Sequence, residues 1–246
     1  MKQEEQKFYE NIHEKFWGNY SDSEEIALAS FPRLLKCKTL IEKVNPRSIL
    51  NLGFESLAVA RFLTSEIDLN PEDYTLVDID RMSVTKARDA GFESISLDLS
   101  NEILPFSDNH FDLVYMGELI EHLLNPDFSI REIYRVTKSG GKIIITTPNL
   151  ASWYNRILLL AGLAPINIEV STEEVVGRKF KFLGNGSSVV GHIRIFTKGA
   201  MVEFLQKKGI HHFHIIGYER GDVKFDRLFS KFPSIASGII VEITEV

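Results

Sequence analysis

The chain has 246 residues, with ordinary apolar (44%) and charged (25%) fractions and a formal net charge of -6. This length suits one α/β domain with a substantial core and some additions. The negative charge gives no general attraction to phosphate backbones, so we do not expect nucleic acid as a partner. The single cysteine, Cys37, excludes an intrachain disulfide framework and any multi-cysteine metal site, which favours a cytoplasmic location.

The beginning of the chain carries helical spacing rather than a targeting signal. Its first ten residues, MKQEEQKFYE, are polar and acidic, and the longest apolar run, residues 157–164, is too short to span a bilayer. Residues 1–43 place Phe8, Ile12, Phe16 and Trp17 at helical spacings. We expect a protein without a membrane span, with an N-terminal helical cap over residues 1–43.

The segment 44–149 alternates short β-rich runs with helical patterns, which is typical of βαβ units and a parallel sheet. Strands are predicted over 48–52, 74–78, 94–97, 111–115 and 142–147. Between the second and third strands, Asp80 is the predicted N-cap of a helix over 82–90, and Gly91 its C-terminal stop. A further helix over 128–137 is predicted to end at Ser139-Gly140-Gly141, ahead of the fifth strand.

The last third of the chain follows a different pattern. A helix is predicted over 150–162, followed by a polar, glycine-containing segment, so we expect a lid or substrate-specific insertion over 150–197. Thr197 is the predicted cap of the next helix, which opens the C-terminal part, 198–246. Two β-rich runs, 211–218 and 238–244, complete the predicted elements, and no pattern indicates an oligomeric state.

Polar residues and a glycine follow the first three predicted strands. Parallel sheets bind ligands outside the carboxyl ends of their strands, so residues at these ends are candidates for binding. Gly53 allows the backbone to approach a ligand after the first strand. Asp78 ends the second strand about 25 residues later, where a carboxylate can accept both hydroxyls of a ribose. Asp98 and Leu99 follow the third strand and suit an exocyclic amine and an apolar ring face.

Five motifs lie between residues 49 and 149, within a resemblance that covers roughly residues 45–245: ILNLGFES, YTLVDID, SLDLSNEILPFSDNHFDLVY, GELIEHLLNP and REIYRVTKSGGKIIITTPN. With them the chain resembles the class I S-adenosylmethionine-dependent methyltransferases, particularly the ubiquinone-type and small-molecule O-methyltransferases. The resemblance implies a Rossmann-like α/β fold, in which a seven-stranded, mostly parallel sheet is flanked by helices. It also implies N-terminal helices, an inserted cap after the fifth strand, and S-adenosyl-L-methionine as the cofactor.

The resemblance also implies a set of cofactor-binding residues. The expected set comprises Asn51, Gly53, Phe54 and Glu55 around the methionine moiety, Asp78 with the neighbouring Ile79 at the ribose, Asp98 and Leu99 at the adenine, and Met116, Gly117 and Glu118 on the floor of the site.

The first motif departs from the family pattern at three positions. An acidic residue is usual where Asn51 stands, and glycines are usual where Glu55 and Leu57 stand. A carboxylate at Glu55 either repels the carboxylate of the cofactor, by about 4 kcal/mol at 4 Å and an effective dielectric near 20, or pairs with its amino group. The alternative function is therefore a catalytically inactive, methyltransferase-like binding or scaffold module whose cofactor turn is closed.

Histidines and carboxylates form two further candidate sites. Glu118, Glu121 and His122 are spaced i, i+3 and i+4, which on a helix places them on one face, suited either to a divalent metal or to orienting a base. Matching residues in some ubiquinone-type O-methyltransferases are associated with a metal. The alternative interpretation is local packing at a helix start, and we assign no metal here. His192 lies in the segment GHIRIFT, which resembles an element found before the late helix in this branch.

His192 and His122 are the candidate catalytic residues, since an imidazole can deprotonate a substrate hydroxyl. A structural role for His192 stays open. Alternation along a β-run places His212 and His214 on one face and His211 on the other, so we expect solvated or interface histidines rather than a metal cluster. The sequence thus predicts methyl transfer from S-adenosylmethionine to a small molecule, at oxygen rather than nitrogen or carbon. Residues 1–43 and 150–197 are expected to build the acceptor pocket.

Overall fold

The computed structural model describes residues 32–177, 189–220 and 225–246. The described helices are α1 Pro32–Val44, α2 Leu57–Thr64, α3 Arg81–Asp89, α4 Pro126–Val136, α5 Trp153–Leu160, α6 Lys198–Lys207 and α7 Asp226–Phe229. The described strands are β1 Ile49–Leu52, β2 Tyr74–Asp78, β3 Glu93–Ser96, β4 Phe111–Gly117, β5 Thr137–Pro148, β6 Phe213–Tyr218 and β7 Gly238–Ile243. Short 3-10 turns lie at Pro71–Asp73 and Ile120–His122.

The strands form one seven-stranded sheet in the order β3-β2-β1-β4-β5-β7-β6. Strands β1 to β5 pair in parallel, and β7 runs antiparallel to both β5 and β6. The strand order reverses at β1, which lies between β2 and β4, and such a reversal opens a crevice at the carboxyl ends of the strands. The α/β fold with a mostly parallel sheet, expected from the sequence, is confirmed.

The predicted start and stop of α3 are confirmed by its hydrogen bonds. The carboxylate of Asp80 accepts hydrogen bonds from the backbone N–H groups of Met82 (3.0 Å) and Ser83 (3.1 Å), which satisfies donors that the first turn of a helix leaves unpaired. Gly91 follows the helix with a φ of +91°. This left-handed conformation is the usual termination by glycine.

The predicted end of α4 is wrong in one respect. Strand β5 begins at Thr137, directly after the helix, so Ser139, Gly140 and Gly141 lie inside the strand rather than in a separate turn. The hydroxyl of Thr137 donates to the backbone oxygen of Ile133 (2.5 Å), which ends the helix without a glycine. The two glycines predict a turn between the helix and the strand. At these described residues the turn is absent because the pairing of Phe111 with Thr137 extends β5 toward its amino end.

The side chains of each central strand alternate between two hydrophobic cores, as the two-residue period of a strand requires. Leu50 and Leu52 of β1 face the core covered by α4 and α6, whereas Ile49 faces the core covered by α1, α2 and α3. In β5, Ile143 and Ile145 face the first core and Ile144 the second. Burial on both sides of the sheet leaves its carboxyl edge as the place where polar side chains gather.

Helix α1 is the described part of the predicted N-terminal cap. It buries Leu34, Cys37 and Ile41 against the sheet, and Lys36 donates to the backbone oxygen of Gly217 (2.9 Å) and to the carboxylate of Glu219 (2.6 Å). The predicted positions Phe8, Ile12, Phe16 and Trp17 lie outside the described residues. Across the described ranges, none of the helices has the length and apolar character needed to cross a membrane.

Candidate active site at the carboxyl edge of the sheet

The turn after β1 bends sharply at Gly53. Its φ is +63°, and its N–H donates to the backbone oxygen of Val77 (2.7 Å), which ties the turn to the end of β2. A Cβ atom at this position would lie 2.7 Å from Cδ1 of Leu119. Both the left-handed backbone and the close side chain therefore require glycine, as the motif predicted.

We expect Gly53→Ala to lower the free energy of unfolding by about 1–3 kcal/mol and to weaken the binding of S-adenosylhomocysteine, because it adds a clash to backbone strain. Gly91→Ala is the matched control: its φ is +91°, but no heavy atom lies within 4 Å of its added Cβ, so it carries the strain alone. Thermal unfolding of both variants measures the difference. Equal losses of stability would contradict a role for Leu119.

The other residues of this turn differ in whether their side chains lie at the candidate site or in the hydrophobic core. Phe54 is buried in the core under α1 and α2, so its backbone alone can border a ligand. Ser56 caps α2, with its hydroxyl accepting from the N–H of Val59 (3.2 Å), and Leu57 is the first residue of that helix. The side chain of Asn51 is 1% exposed and donates to the hydroxyl of Tyr74 (2.9 Å).

Asp78 stands at the end of β2, on the same edge as Gly53. One oxygen of its carboxylate accepts the N–H of Asp80 (2.8 Å). Burial raises the pKa of the Asp78 carboxyl to about 7, with the negative charge of Asp80 acting in the same direction against backbone hydrogen bonds that lower it. Ile79 accepts a hydrogen bond on its backbone oxygen from Ser96 (3.3 Å), which connects this end of β2 with β3.

Asp98 follows β3 and organises its own turn. Its two carboxylate oxygens accept from the N–H of Ser100 (2.9 Å) and the side-chain amide of Asn101 (2.7 Å). Leu99 is 6% exposed and packs into the core covered by α4, and Met116 of β4 is fully buried in the same core. The side chains of Leu99 and Met116 therefore belong mainly to the core, whereas Asp98 stays at the edge.

Glu118, directly after β4, adopts a left-handed conformation with a φ of +48°. Its carboxylate accepts hydrogen bonds from the hydroxyls of Thr146 (2.8 Å) and Tyr218 (3.0 Å). A Cβ atom on the preceding Gly117 would lie 2.4 Å from the hydroxyl of Tyr115, so that strand end is also tightly constrained. Left-handed backbone at a residue other than glycine costs energy and is concentrated at functional sites.

The side chains of Tyr218 and Arg33 also lie at the carboxyl edge of the sheet. Neither residue was among the site residues predicted from the sequence. The guanidinium of Arg33, from α1, donates to the carboxylate of Glu55 (2.6 Å), to the hydroxyl of Tyr115 (3.1 Å) and to the hydroxyl of Thr146 (3.4 Å). Both reach the site from segments distant in sequence, so no local motif marks them.

A second group, which we call the imidazole-carboxylate group, consists of Glu121, His122 and His192. One potential ligand atom of each lies within 4.8 Å of those of the other two, and the two imidazole rings have their centroids 5.0 Å apart. Glu118, which the spacing had grouped with Glu121 and His122, lies outside this set. The regular helical face expected for them is absent from the described residues, because 118 is left-handed and 120–122 form a 3-10 turn.

Backbone carbonyls fix the orientation of both imidazoles. The Nδ1 atom of His122 lies 3.0 Å from the oxygen of Gly191, and the Nδ1 atom of His192 lies 3.1 Å from the oxygen of Asn167. Because a carbonyl only accepts hydrogen bonds, each Nδ1 carries the proton and Nε2 is the basic nitrogen of each ring. This is the arrangement in which metal-binding histidines are usually held.

Glu121 is fully buried. One of its carboxylate oxygens accepts from the hydroxyl of Thr147 (3.0 Å), and the other has no hydrogen-bond partner among the residues that the structure describes. Burial, with the charge of Glu118, raises the pKa of the Glu121 carboxyl well above its usual range. Burial and the neighbouring His192 lower the pKa of His122 to about 4. An unpaired buried carboxylate oxygen beside two imidazoles fits a divalent cation with nitrogen and oxygen ligands.

The segment that carries His192 is attached to the site by its backbone. The N–H groups of Ile193 and Arg194 both donate to the backbone oxygen of Glu121 (2.9 Å each), and the Arg194 side chain donates to the oxygen of Leu124 (2.7 Å). Glu169 accepts hydrogen bonds from the N–H groups of Val190 (2.7 Å) and Gly191 (2.8 Å). By contrast, His211, His212 and His214 are exposed, as predicted.

Comparisons with known proteins agree with this architecture. Residues 50–145 match the family model described as "Methyltransferase domain". A ubiquinone/menaquinone biosynthesis C-methyltransferase from Legionella pneumophila is 26% identical over 217 residues, covering 81% of this chain and 82% of that protein. The corresponding protein of Shewanella oneidensis is 40% identical over 63 residues; this match and others like it cover only a quarter of this chain and of those relatives.

A solved structure supports the fold over nearly the whole chain. It is a methyltransferase from Thermotoga maritima, described as S-adenosylmethionine-dependent and as a possible histamine N-methyltransferase. It superposes with a TM-score of 0.60 at 18% identity, covering 96% of this chain and 99% of that one.

Proposed function

We propose that this chain, whose residues 50–145 match a methyltransferase domain and whose fold is that of S-adenosylmethionine-dependent methyltransferases, transfers a methyl group from S-adenosylmethionine to an oxygen atom of a small-molecule acceptor. The observation that carries the choice of oxygen is the imidazole-carboxylate group, which follows β4 and contacts β5 through Thr147. A hydroxyl acceptor must lose its proton, and this group contains the residue types that accept a proton or hold a cation.

In this proposal the cofactor occupies the crevice at β1, where the strand order reverses. Asp78 accepts hydrogen bonds from the ribose hydroxyls, and the Asp98 turn borders the adenine. The turn at Gly53 approaches the methionine moiety through its backbone. When bound, S-adenosylmethionine supplies the methyl group on a sulfonium that needs no further activation. The contribution of the chain is then to position the acceptor and to exclude water.

The imidazole-carboxylate group fits a divalent cation better than it fits a free base. The low pKa of His122, caused first by burial and then by His192, keeps this imidazole neutral at pH 7, and a neutral imidazole is a metal ligand. Glu121 supplies an oxygen atom and His192 a second nitrogen. A cation held by these residues would supply positive charge, which would lower the pKa of an acceptor hydroxyl. The alternative, His192 acting alone as a general base, is compatible with the same residues.

The curated relatives named above are C-methyltransferases, so transfer to carbon is the competing proposal. A methyl group transferred to a nucleophilic carbon does not require a cation that lowers the pKa of an acceptor hydroxyl. We therefore expect the position of the new methyl group, together with metal dependence, to separate the two proposals.

The test uses purified protein, S-adenosylmethionine with a 13C-labelled methyl group, and a panel of phenols, catechols and quinol precursors. Each reaction is run after removal of metal by a chelator and again with added Mg²⁺, Mn²⁺ or Zn²⁺. We expect a methyl ether, identified by the carbon chemical shift of the label, and activity that returns only with a divalent cation. A product methylated at a ring carbon would refute transfer to oxygen.

A further inference from the structure

The cofactor turn contains an ion pair that the family pattern does not include. Glu55, at a position where the family usually has glycine, accepts a hydrogen bond from Arg33 through its Oε2 atom (2.6 Å). The side chains of Glu55 and Arg33 are only 9% and 12% exposed. A buried charge of either sign without its partner would be strongly destabilising, so the two residues must be considered together.

The ion pair leaves one ligand-binding atom on Glu55 unused. The Oε1 atom of Glu55 is buried and has no hydrogen-bond partner within the described parts of the chain. Buried carboxylate oxygens are normally satisfied, and an unsatisfied one requires an explanation such as a missing ligand. An ammonium group is a suitable partner, because it brings three donors and the opposite charge.

Arg33 is held in place from several sides. Its guanidinium also donates to the hydroxyls of Tyr115 (3.1 Å) and Thr146 (3.4 Å), which lie on β4 and β5. Helix α1, which carries Arg33, is fixed at its next turn by the ion pair between Lys36 and Glu219 (2.6 Å). A guanidinium has five N–H donors in a planar fork that matches a carboxylate, so a fixed Arg33 is preorganised for one.

We propose that Arg33 and Glu55 bind the two charged ends of the cofactor's methionine moiety, with Arg33 holding the carboxylate and Glu55 accepting from the ammonium group. The inference rests on the use of S-adenosylmethionine and adds that α1, which lies outside residues 50–145, completes the cofactor site. The proposal also gives a function to Glu55, which stands where the family usually has glycine. The ammonium and carboxylate groups of the cofactor carry opposite charges, as do Arg33 and Glu55. Binding therefore buries no net charge.

The proposal is tested with four ligands in two matched pairs. S-adenosylmethionine and its decarboxylated form differ only in the carboxylate, and S-adenosylhomocysteine and 5′-methylthioadenosine differ in the whole amino-acid end. Affinities are measured by titration calorimetry for the wild type and for Arg33→Met, Glu55→Gln and the double variant. These substitutions approximately preserve side-chain length, and the double variant removes both charges together.

We expect Arg33→Met to reduce the preference for S-adenosylmethionine over its decarboxylated form by about 10- to 100-fold, the usual effect of a charge-assisted hydrogen bond. Glu55→Gln should weaken both of these ligands by about 10-fold or more, since both keep the ammonium group. The affinity for 5′-methylthioadenosine should change by less than about 3-fold in either variant, because this ligand lacks both charges. Its binding also shows that a variant is folded.

Lys36→Met is the control, because it breaks the other ion pair of α1 at a residue that the proposal keeps out of the site. It should leave the preference between the ligands unchanged. A variant at Arg33 that weakens all four ligands equally, or that tightens S-adenosylmethionine, would overturn the proposal and indicate a purely structural ion pair. Should either single variant fail to fold, the double variant must still lose the discrimination. A wild type that binds none of the four ligands would instead refute the use of the cofactor.

Discussion

His192→Ala is expected to lower methyl transfer at least about 100-fold and to abolish the binding of a divalent cation. Replacement removes one of two imidazoles in a group whose potential ligand atoms lie within 4.8 Å of one another. The remaining residues, Glu121 and His122, leave too few protein ligands for tight binding. The measurements are metal content after dialysis and the rate with the acceptor that the methyl-transfer screen identifies.

His214→Ala is the matched control, because it removes an exposed histidine from β6 and should leave metal content and rate unchanged. The same pair of measurements separates the two proposed functions of His192. If His192→Ala keeps its metal and recovers activity at high pH, His192 is a general base rather than a ligand. If both metal content and rate are unchanged, neither function is supported.

Asp78→Asn is expected to weaken S-adenosylhomocysteine about 10- to 100-fold at pH 8, since an ionised carboxylate is a stronger acceptor for ribose hydroxyls than an amide oxygen. Burial raises the pKa of the Asp78 carboxyl to about 7. The affinity of the wild type should therefore fall as the pH drops from 8 to 6, whereas that of Asp78→Asn should not. Titration calorimetry at several pH values tests this, with exposed Asp68→Asn as the control.

The same pKa predicts the stability of the ligand-free protein. A carboxyl whose folded pKa lies above its unfolded value of about 3.9 contributes stability below that value, and this contribution is lost as the pH rises through about 7. Asp78→Asn should therefore raise the melting temperature by a few degrees at pH 8 and have little effect at pH 4. A lower melting temperature at pH 8 would contradict a carboxylate whose charged form is destabilised by its surroundings.

The parts of the candidate site that depend on local signals could be predicted from the sequence. Gly53 and Asp78 follow apolar runs whose period and length identify strands, and the parallel arrangement brings their ends to one edge. The cap at Asp80 and the stop at Gly91 are set by the residues next to them. Such features involve few residues and short separations, so a single sequence is enough to predict them.

The remaining parts depend on tertiary contacts. Arg33 and Tyr115 are 82 residues apart, and Tyr218 and Glu118 are 100 apart, so no pattern in either segment predicts their hydrogen bonds. The proximity of His192 to Glu121 depends on hydrogen bonds between two loops. The spacing of Glu118, Glu121 and His122 predicts a shared helical face, but Glu118 has a left-handed backbone and its carboxylate accepts a hydrogen bond from Tyr218 instead.

Glu169 has a consequence for how acceptor specificity can evolve in this chain. Its carboxylate joins the two ends of the segment that runs from position 169 to 190, and His192 is held just beyond by Asn167. Because residues 150–197 are expected from the sequence to contribute to the acceptor pocket, we expect changes between these two anchor points to alter the choice of acceptor without moving either imidazole. In the proposed function, the position of the imidazoles and the selectivity for the acceptor are then independent, and we expect relatives that differ in this segment to differ in acceptor.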